Sequence, residues 1–242
     1  MLFLRSLLFN IAFFGWSLFS AFLFFPFFIP SMRTAQMIAR PWAGVSLFLA
    51  RILCGIRYEV RGAQHIPPAS IPVVFASKHQ SAWDTIIFHM LSRCPAYILK
   101  KELLYLPFWG WYLWRMKMIA IDRAAKASSM KHMIKQAKTV IAEPRSIVIF
   151  PEGTRTPPGA QSTYHPGIVA LYSQLKVPVV PVALNSGLYW GRDAFIKRPG
   201  TIIIEFLPAI APGLPKDEFA AKLKESIESA SNRLMEEGRA RL

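Results

Sequence analysis

From Ser6 to Ile29 the chain carries no charged residue, and ten of its 18 phenylalanines fall at or before Phe28. An apolar run of that length lets a helix cross a hydrocarbon core of about 30 Å. Hydrophobic residues make up 53% of the chain, so this excess is partly a local segment and not only a globular core. A cleaved secretory signal would have an apolar region of about 7–15 residues followed by a small-residue cleavage site. Here Phe-Phe-Pro-Phe-Phe-Ile-Pro follows instead, and membrane anchoring is the reading adopted.

A second apolar stretch, Pro41–Ile56, is bracketed and punctuated by Arg40, Arg51 and Arg57. It is short for a span and suits a helix lying at the membrane interface. Pro26, Pro30 and Pro41 are expected to break the region into pieces. Two geometries stay open: the first helix spans, or the pair forms a hairpin dipping into one leaflet. Arg33, Arg40, Arg51 and Arg57 follow the first helix, against Arg5 and the terminal amine before it. The positive-inside rule then leaves the main domain on the cytoplasmic side of the membrane. Residues 1–56 are read as the anchor and residues 57–242 as the main domain.

Net charge is +15, from 29 Lys and Arg against 14 Asp and Glu. Nucleic acid, an anionic membrane surface and a phosphorylated substrate all suit such a balance. The anchor favours the last two, and no nucleic-acid partner is expected. Between Arg93 and Lys138 ten basic residues face only two acids, Glu102 and Asp122. Cys54 and Cys94 form no zinc or disulfide framework.

Strand-like runs recur after residue 57: Tyr58–Arg61, Pro72–Ser77, Tyr97–Leu99, Met118–Ile121, Ser146–Phe150, Val177–Leu184 and Thr201–Phe206. Several are continuously apolar, as for strands buried on both faces. Ala125–Ala142 has helical periodicity, with Met130, Met133, Ile134, Ala137 and Ile141 on one face and Lys131, Lys135 and Lys138 on the other. Lys216–Arg241 reads as a terminal amphipathic helix. The alternation predicts an α/β domain with a largely parallel sheet flanked by helices.

Residues 78–84 read Lys-His-Gln-Ser-Ala-Trp-Asp, directly after a strand-like run. Strand ends are where open α/β sheets place ligands. Five helical residues turn about 500°, so His79 and Asp84 cannot share a helix face. They meet only if His79 precedes the helix and Asp84 sits in its first turn. Ser81 as N-cap with Asp84 three residues on gives that arrangement, as in a capping box. A carboxylate on Nδ1–H leaves Nε2 free to accept a proton. A simple helix cap accounts for the same residues without chemistry.

Phe150-Pro151-Glu152-Gly153-Thr154-Arg155 follows another strand. Gly153 permits a tight turn, and Arg155 offers a donor fork suited to phosphate. Glu152 could hold that guanidinium or bond a substrate hydroxyl; a turn with a local ion pair is the plainer alternative. Lys100 and Arg123 each stand near the end of a strand-like run, where cations would attract an anionic head group or form a solvated basic face. Between them Tyr105, Phe108, Trp109, Trp111, Tyr112 and Trp114 could line an acyl groove, sit at the lipid interface or pack a core. Val177-Pro178-Val179-Val180-Pro181-Val182 is an apolar strand interrupted by proline, with a structural task and a possible place in an acyl-pocket wall. The Gly-x-Ser-x-Gly elbow is absent, which disfavours that kind of serine hydrolase. His65, His89, His132 and His165 show no metal-ligand spacing, and there is no Gly-rich nucleotide loop.

Taken in order, these four blocks resemble the 1-acylglycerol-3-phosphate acyltransferase family of bacterial phospholipid synthesis. Its His-x4-Asp motif matches His79 through Asp84. Its Lys-x-Glu-Leu, Pro, Gly and Ile-Asp-Arg block matches Lys100, Glu102, Leu103, Pro107, Gly110, Ile121, Asp122 and Arg123. Residues 150–155 match Phe-Pro-Glu-Gly-Thr-Arg in full, and residues 177–182 match Val-Pro-Val-x-Pro-Val. Lys78 stands where the family usually has Asn, and Lys117 where a Gly is common.

The resemblance implies the family's α/β fold and acyl transfer from a thioester to a lysophosphatidic acid hydroxyl, forming phosphatidic acid. It implies His79 as general base, Asp84 as its support, and Lys100, Arg123, Glu152, Gly153, Thr154 and Arg155 as substrate-binding residues. It implies no metal and no cofactor; acyl-CoA or acyl carrier protein serves as co-substrate, and anionic lipids are partners. Another acceptor (glycerol 3-phosphate, another lysophospholipid or a lyso-ornithine lipid) and a non-catalytic membrane-surface module are the alternatives.

Overall fold

The computed structural model describes residues 1–23, 32–68, 70–92, 94–160 and 162–241. Pro26, Pro30 and the end of the uncharged run at Ile29 lie outside them. The chain begins with two long helices, α1 (Leu2–Leu23) and α2 (Met32–Leu49), the second extended by a π-helical turn over Ala50–Cys54. Gly55 ends that turn in the left-handed region (φ 73°), where its N–H reaches the Arg51 carbonyl at 3.0 Å.

Pro41 was expected to break a helix, but α2 runs through it. The proline and Met37, whose carbonyl loses its usual donor, are both exposed, so no orphaned group is trapped in the core. The second helix therefore starts earlier than the predicted Pro41–Ile56. Thr34–Cys54 is long and apolar enough to cross a membrane, as is Leu2–Leu23.

Seven strands form one sheet: β1 (Ile56–Arg61), β2 (Val73–Ser77), β3 (Ala96–Lys100), β4 (Ile119–Ile121), β5 (Ser146–Ile149), β6 (Val179–Leu184) and β7 (Gly200–Phe206). Their order is β1-β7-β6-β2-β5-β3-β4, parallel throughout except between β6 and β7. Every residue of β2, β5 and β6 is buried, which explains why these runs are apolar without alternation.

The two sheet faces build separate cores. Phe75, Val148, Val180 and Val182 pack toward α1, α2 and the helix α3 (Trp83–Leu91), with the short helix α4 (Trp109–Arg115) beside them. Val74, Ala76, Ile147 and Val179 pack toward α5 (Lys126–Ile141), α6 (Gly167–Leu175) and α7 (Lys216–Arg239).

Pro181 sits within the interior strand β6, an unusual place. Its neighbour β7 ends at Phe206, and Leu207 donates to the Pro181 carbonyl at 2.9 Å. The missing N–H thus falls where the β7 ladder has already ended. The valines of this block fill both cores and none lines the large cavity described below, so the acyl-pocket wall expected of them is corrected to a central strand.

Helix α1 is tied to the main domain along its length. Ser6 Oγ accepts from the Lys197 backbone N–H at 2.9 Å, and the Lys197 ammonium donates to Asn10 at 2.7 Å. Tyr112 donates to the Ala21 carbonyl at 2.9 Å, and within the anchor Trp42 of α2 donates to Ser17 at 3.1 Å. Phe9 is fully buried in the same core as Phe75. The boundary drawn between residues 56 and 57 falls just inside β1.

Candidate active site

Five strands, β2 to β6, run in the same direction, and their carboxyl ends share one edge of the sheet. The loops leaving that edge carry the residues singled out from the sequence. His79 follows β2, and Asp84 lies in the first turn of α3. The capping arrangement forms as the spacing predicts. Trp83 N–H donates to Ser81 Oγ at 3.1 Å, and Asp84 Oδ2 accepts from Ser81 N–H at 2.8 Å.

That same carboxylate reaches back to His79 Nδ1 at 2.9 Å and to the Gln80 N–H at 2.7 Å. Its other oxygen accepts from Ser186 Oγ at 2.5 Å. Asp84 is fully buried, and four donors satisfy it. The cap and the His–Asp pair are therefore one structure and not rival readings of the same residues. With Nδ1–H bonded to the carboxylate, Nε2 is the nitrogen able to take a proton. The imidazole also stacks on Phe150, with ring centroids 3.9 Å apart and planes 17° apart. Carboxylate and ring together restrict both its tautomer and its plane.

Behind His79 lies a buried ionic cluster. Lys78 Nζ meets Glu152 at 2.7 Å and Glu228 of α7 at 2.8 Å. Tyr164 donates to Glu228 at 2.9 Å, and burial beside that carboxylate pushes its phenol far above the usual range. Glu152 Oε1 accepts from Thr156 at 2.6 Å, and Oε2 accepts from the His79 backbone N–H at 2.8 Å. The Glu152 side chain is wholly buried and both oxygens are engaged. It does not hold Arg155, which pairs with Asp193 at 3.1 Å. The expected role of Glu152 toward the guanidinium or a substrate hydroxyl is corrected on this geometry. Its carboxylate faces Lys78, because a buried ammonium needs a counter-charge more than a partly exposed arginine does.

A cavity of about 1200 Å³ opens on this edge. His79, Lys100, Arg123, Gly153, Thr154 and Arg155 all line it, whereas Asp84 and Glu152 sit behind its wall. Arg123 is anchored on the Gly153 carbonyl and Lys100 is exposed. Gly153 has φ 67°, and a Cβ there would lie 2.5 Å from the His165 ring, so the turn requires glycine. The cavity continues between apolar walls, past Leu99, Leu113 and Met116, to Ala21 of α1 and Trp42 of α2. Trp109 and Tyr112 line it, while Tyr105 and Trp114 are exposed, so the aromatic segment divides between wall and surface. His89 also lines it; burial pushes its pKa down to about 4, which keeps it neutral at neutral pH.

The sequence reading missed Ser186, Lys78, Glu228 and the stacking of Phe150. Ser186 follows β6 just as His79 follows β2, so the strand-end rule applied to that run would have flagged it. Lys78, a lysine directly after an apolar strand, was visible as an oddity, but its partner Glu228 lies 150 residues away.

A family model described as Acyltransferase matches residues 57–185. The 1-acyl-sn-glycerol-3-phosphate acyltransferase of Pseudomonas aeruginosa is 38% identical over 182 residues, covering 75% of this chain and 70% of that protein. The alpha form of the mouse enzyme of the same name is 33% identical over 219 residues, covering 88% of this chain and 75% of its own length. The crystal structure of the 1-acyl-sn-glycerophosphate acyltransferase PlsC from Thermotoga maritima superposes with TM-score 0.76 over 100% of this chain and 99% of that chain, at 20% identity. That likeness of fold takes in the two amino-terminal helices.

Proposed function

The chain belongs to the 1-acyl-sn-glycerol-3-phosphate acyltransferase family, and we propose that it moves a fatty acyl group from a thioester to the sn-2 hydroxyl of 1-acyl-sn-glycerol 3-phosphate. The observation that carries this reading is the His79–Asp84 pair, 2.9 Å apart, on the wall of a cavity that is cationic at one end and apolar at the other.

In the proposed reaction His79 Nε2 takes the hydroxyl proton as the oxygen attacks the thioester carbonyl. The tetrahedral intermediate collapses, the carbon–sulfur bond breaks, and the imidazolium returns the proton to the departing thiolate. Asp84 stabilises the imidazolium between these steps. General base catalysis of this kind contributes about 10²–10⁴-fold, and positioning both substrates supplies the larger share. Lys100, Arg123 and Arg155 are assigned to the acceptor phosphate, with Gly153 and Thr154 shaping the turn beside it. Glu152 acts from behind, through the His79 backbone and Lys78. The acyl chain is assigned to the stretch lined by Leu113, Met116 and Trp42. Transfer is direct, with no acyl-enzyme and no metal or other cofactor.

The product is a membrane lipid, which fits a site joined to the amino-terminal helices. Leu4, Leu8, Ile11 and Leu18 form an exposed stripe along α1. Contacts from Ser6 to Ala21 lay α1 along the domain. A helix held along its length favours the pair dipping into one leaflet over α1 crossing alone. The assignment to the cytoplasmic side rests on the arginine distribution, and that to the inner membrane on the likeness to the Pseudomonas aeruginosa enzyme.

The decisive experiment offers the purified full chain lysophosphatidic acid, glycerol 3-phosphate, other lysophospholipids and a lyso-ornithine lipid, with both donor types, and reads product mass. Phosphatidic acid from lysophosphatidic acid as the fastest product supports the proposal. Faster acylation of another acceptor replaces the substrate, and no product with any acceptor ends the enzymatic reading.

A further inference from the structure

On the face of the sheet opposite α1 and α2, helices α5 and α6 leave a groove of about 710 Å³ between them. Its floor is apolar, formed by Met130, Ile134, Val169 and Ala170. Lys131, Lys135 and Lys138 stand along one side, and Lys216, at the start of α7, closes the row. All four lysines are exposed, and among the described residues none is paired with a carboxylate. Asp217 and Glu218, next to Lys216, are exposed and do not line the groove. The groove shares Met130, Lys131 and Pro166 with the active-site cavity, so whatever fills it also meets the cavity rim.

We infer that this groove docks an acidic helix of a small soluble carrier protein that presents the acyl chain as a thioester. The inference rests on the acyl-transfer reading above and adds the partner that delivers the donor. Three features select this occupant. Lys131, Lys135 and Lys138 repeat at i, i+4 and i+7, a row about 10 Å long. That row complements acids at the same spacing on a facing helix, and the apolar floor receives that helix's hydrophobic side. Among the described residues no aromatic ring lines the groove to stack a base, which disfavours the nucleotide of coenzyme A as the occupant. The groove also faces away from the lipid-directed helices, which disfavours a bilayer.

The test uses the purified full chain and a Lys135→Glu/Lys138→Glu variant, with Lys135→Gln/Lys138→Gln as a milder second. Neither position lines the catalytic cavity. Rates are measured with the same acyl chain carried on acyl carrier protein or on coenzyme A, and unloaded carrier protein is titrated against each form. The expected result is a KM for the carrier-borne donor raised at least about tenfold, with coenzyme A kinetics within about twofold of wild type. The titration is expected to lose carrier binding in the variant, and salt near 0.3 M to weaken it in the wild type. An unchanged carrier KM overturns the inference, as does an equal rise for both donors. Loss of binding to phosphatidylglycerol vesicles in place of carrier binding assigns the groove to the membrane and overturns it equally. If the wild type turns over neither donor, the acyl-transfer reading fails, and the titration still decides whether the groove holds the carrier.

Discussion

The wall behind His79 and the rim in front of it are built on opposite terms. On the wall, Asp84, Glu152 and Lys78 are at most 2% exposed, and each has at least two partners. On the rim, Lys100 and Arg123 are exposed, and the Arg155 guanidinium pairs with Asp193, itself on the surface. The wall fixes a base before any substrate arrives, so little reorganisation is left for the reaction. The rim keeps cationic donors available for an anionic ligand. Changes to the wall should therefore act on turnover or stability, and changes to the rim on binding.

The sharpest test of that division is His79→Ala. It should lower kcat by about 10²–10⁴-fold with the thermal midpoint nearly unchanged; turnover near wild type would remove the imidazole from the chemistry. Next comes Lys78→Met, which leaves the buried Glu152 and the half-buried Glu228 without their shared ammonium. Denaturant unfolding should show a loss of about 3–5 kcal/mol. Adding Glu228→Leu should recover part of that loss, and a single variant no less stable than the double would mean the cluster is not a buried charge network.

On the rim, Arg155→Ala should raise KM for the phosphorylated acceptor by about 10–100-fold, the worth of one charged hydrogen bond, and leave the donor KM alone. Equal effects on both substrates would erase the distinction between wall and rim. The smallest change concerns the exposed stripe of α1. Ile11→Ser should reduce co-sedimentation with vesicles by roughly tenfold, at about 1.5 kcal/mol of lost burial. Turnover in detergent should stay near wild type. Full retention on vesicles would place the membrane contact elsewhere. Deleting residues 1–40 is a poorer probe, because Phe9, Ala35 and Ala39 belong to the main core and their loss would unfold it.

Much of this was legible in the order of residues. The strands overlap the strand-like runs read from the sequence, most plainly β2, β5 and β6, because strands buried on both faces leave no alternation to confuse with a helix. The capping signature around Ser81 and Asp84 also encoded the nearness of His79 to its carboxylate. The course of α2 through Pro41 was not legible. A proline breaks a helix on local grounds, and only the exposure of Met37 and Pro41 shows why it is tolerated here. The role of Glu152 was misread for a related reason. Arg155 is its near neighbour in sequence, but Lys78 is its neighbour across the β2–β5 pairing.

What the chain determined alone is therefore local: strand runs, an uncharged helix, and a base five residues from its acid. Packing decided the rest. Ser186 meets Asp84 across 102 residues, Glu228 meets Lys78 across 150, and Lys197 meets Asn10 across 187. Backbone sterics and hydrophobic period act over a few residues. Which distant hydroxyl or charge satisfies a buried group is settled only when the sheet order brings strand ends together.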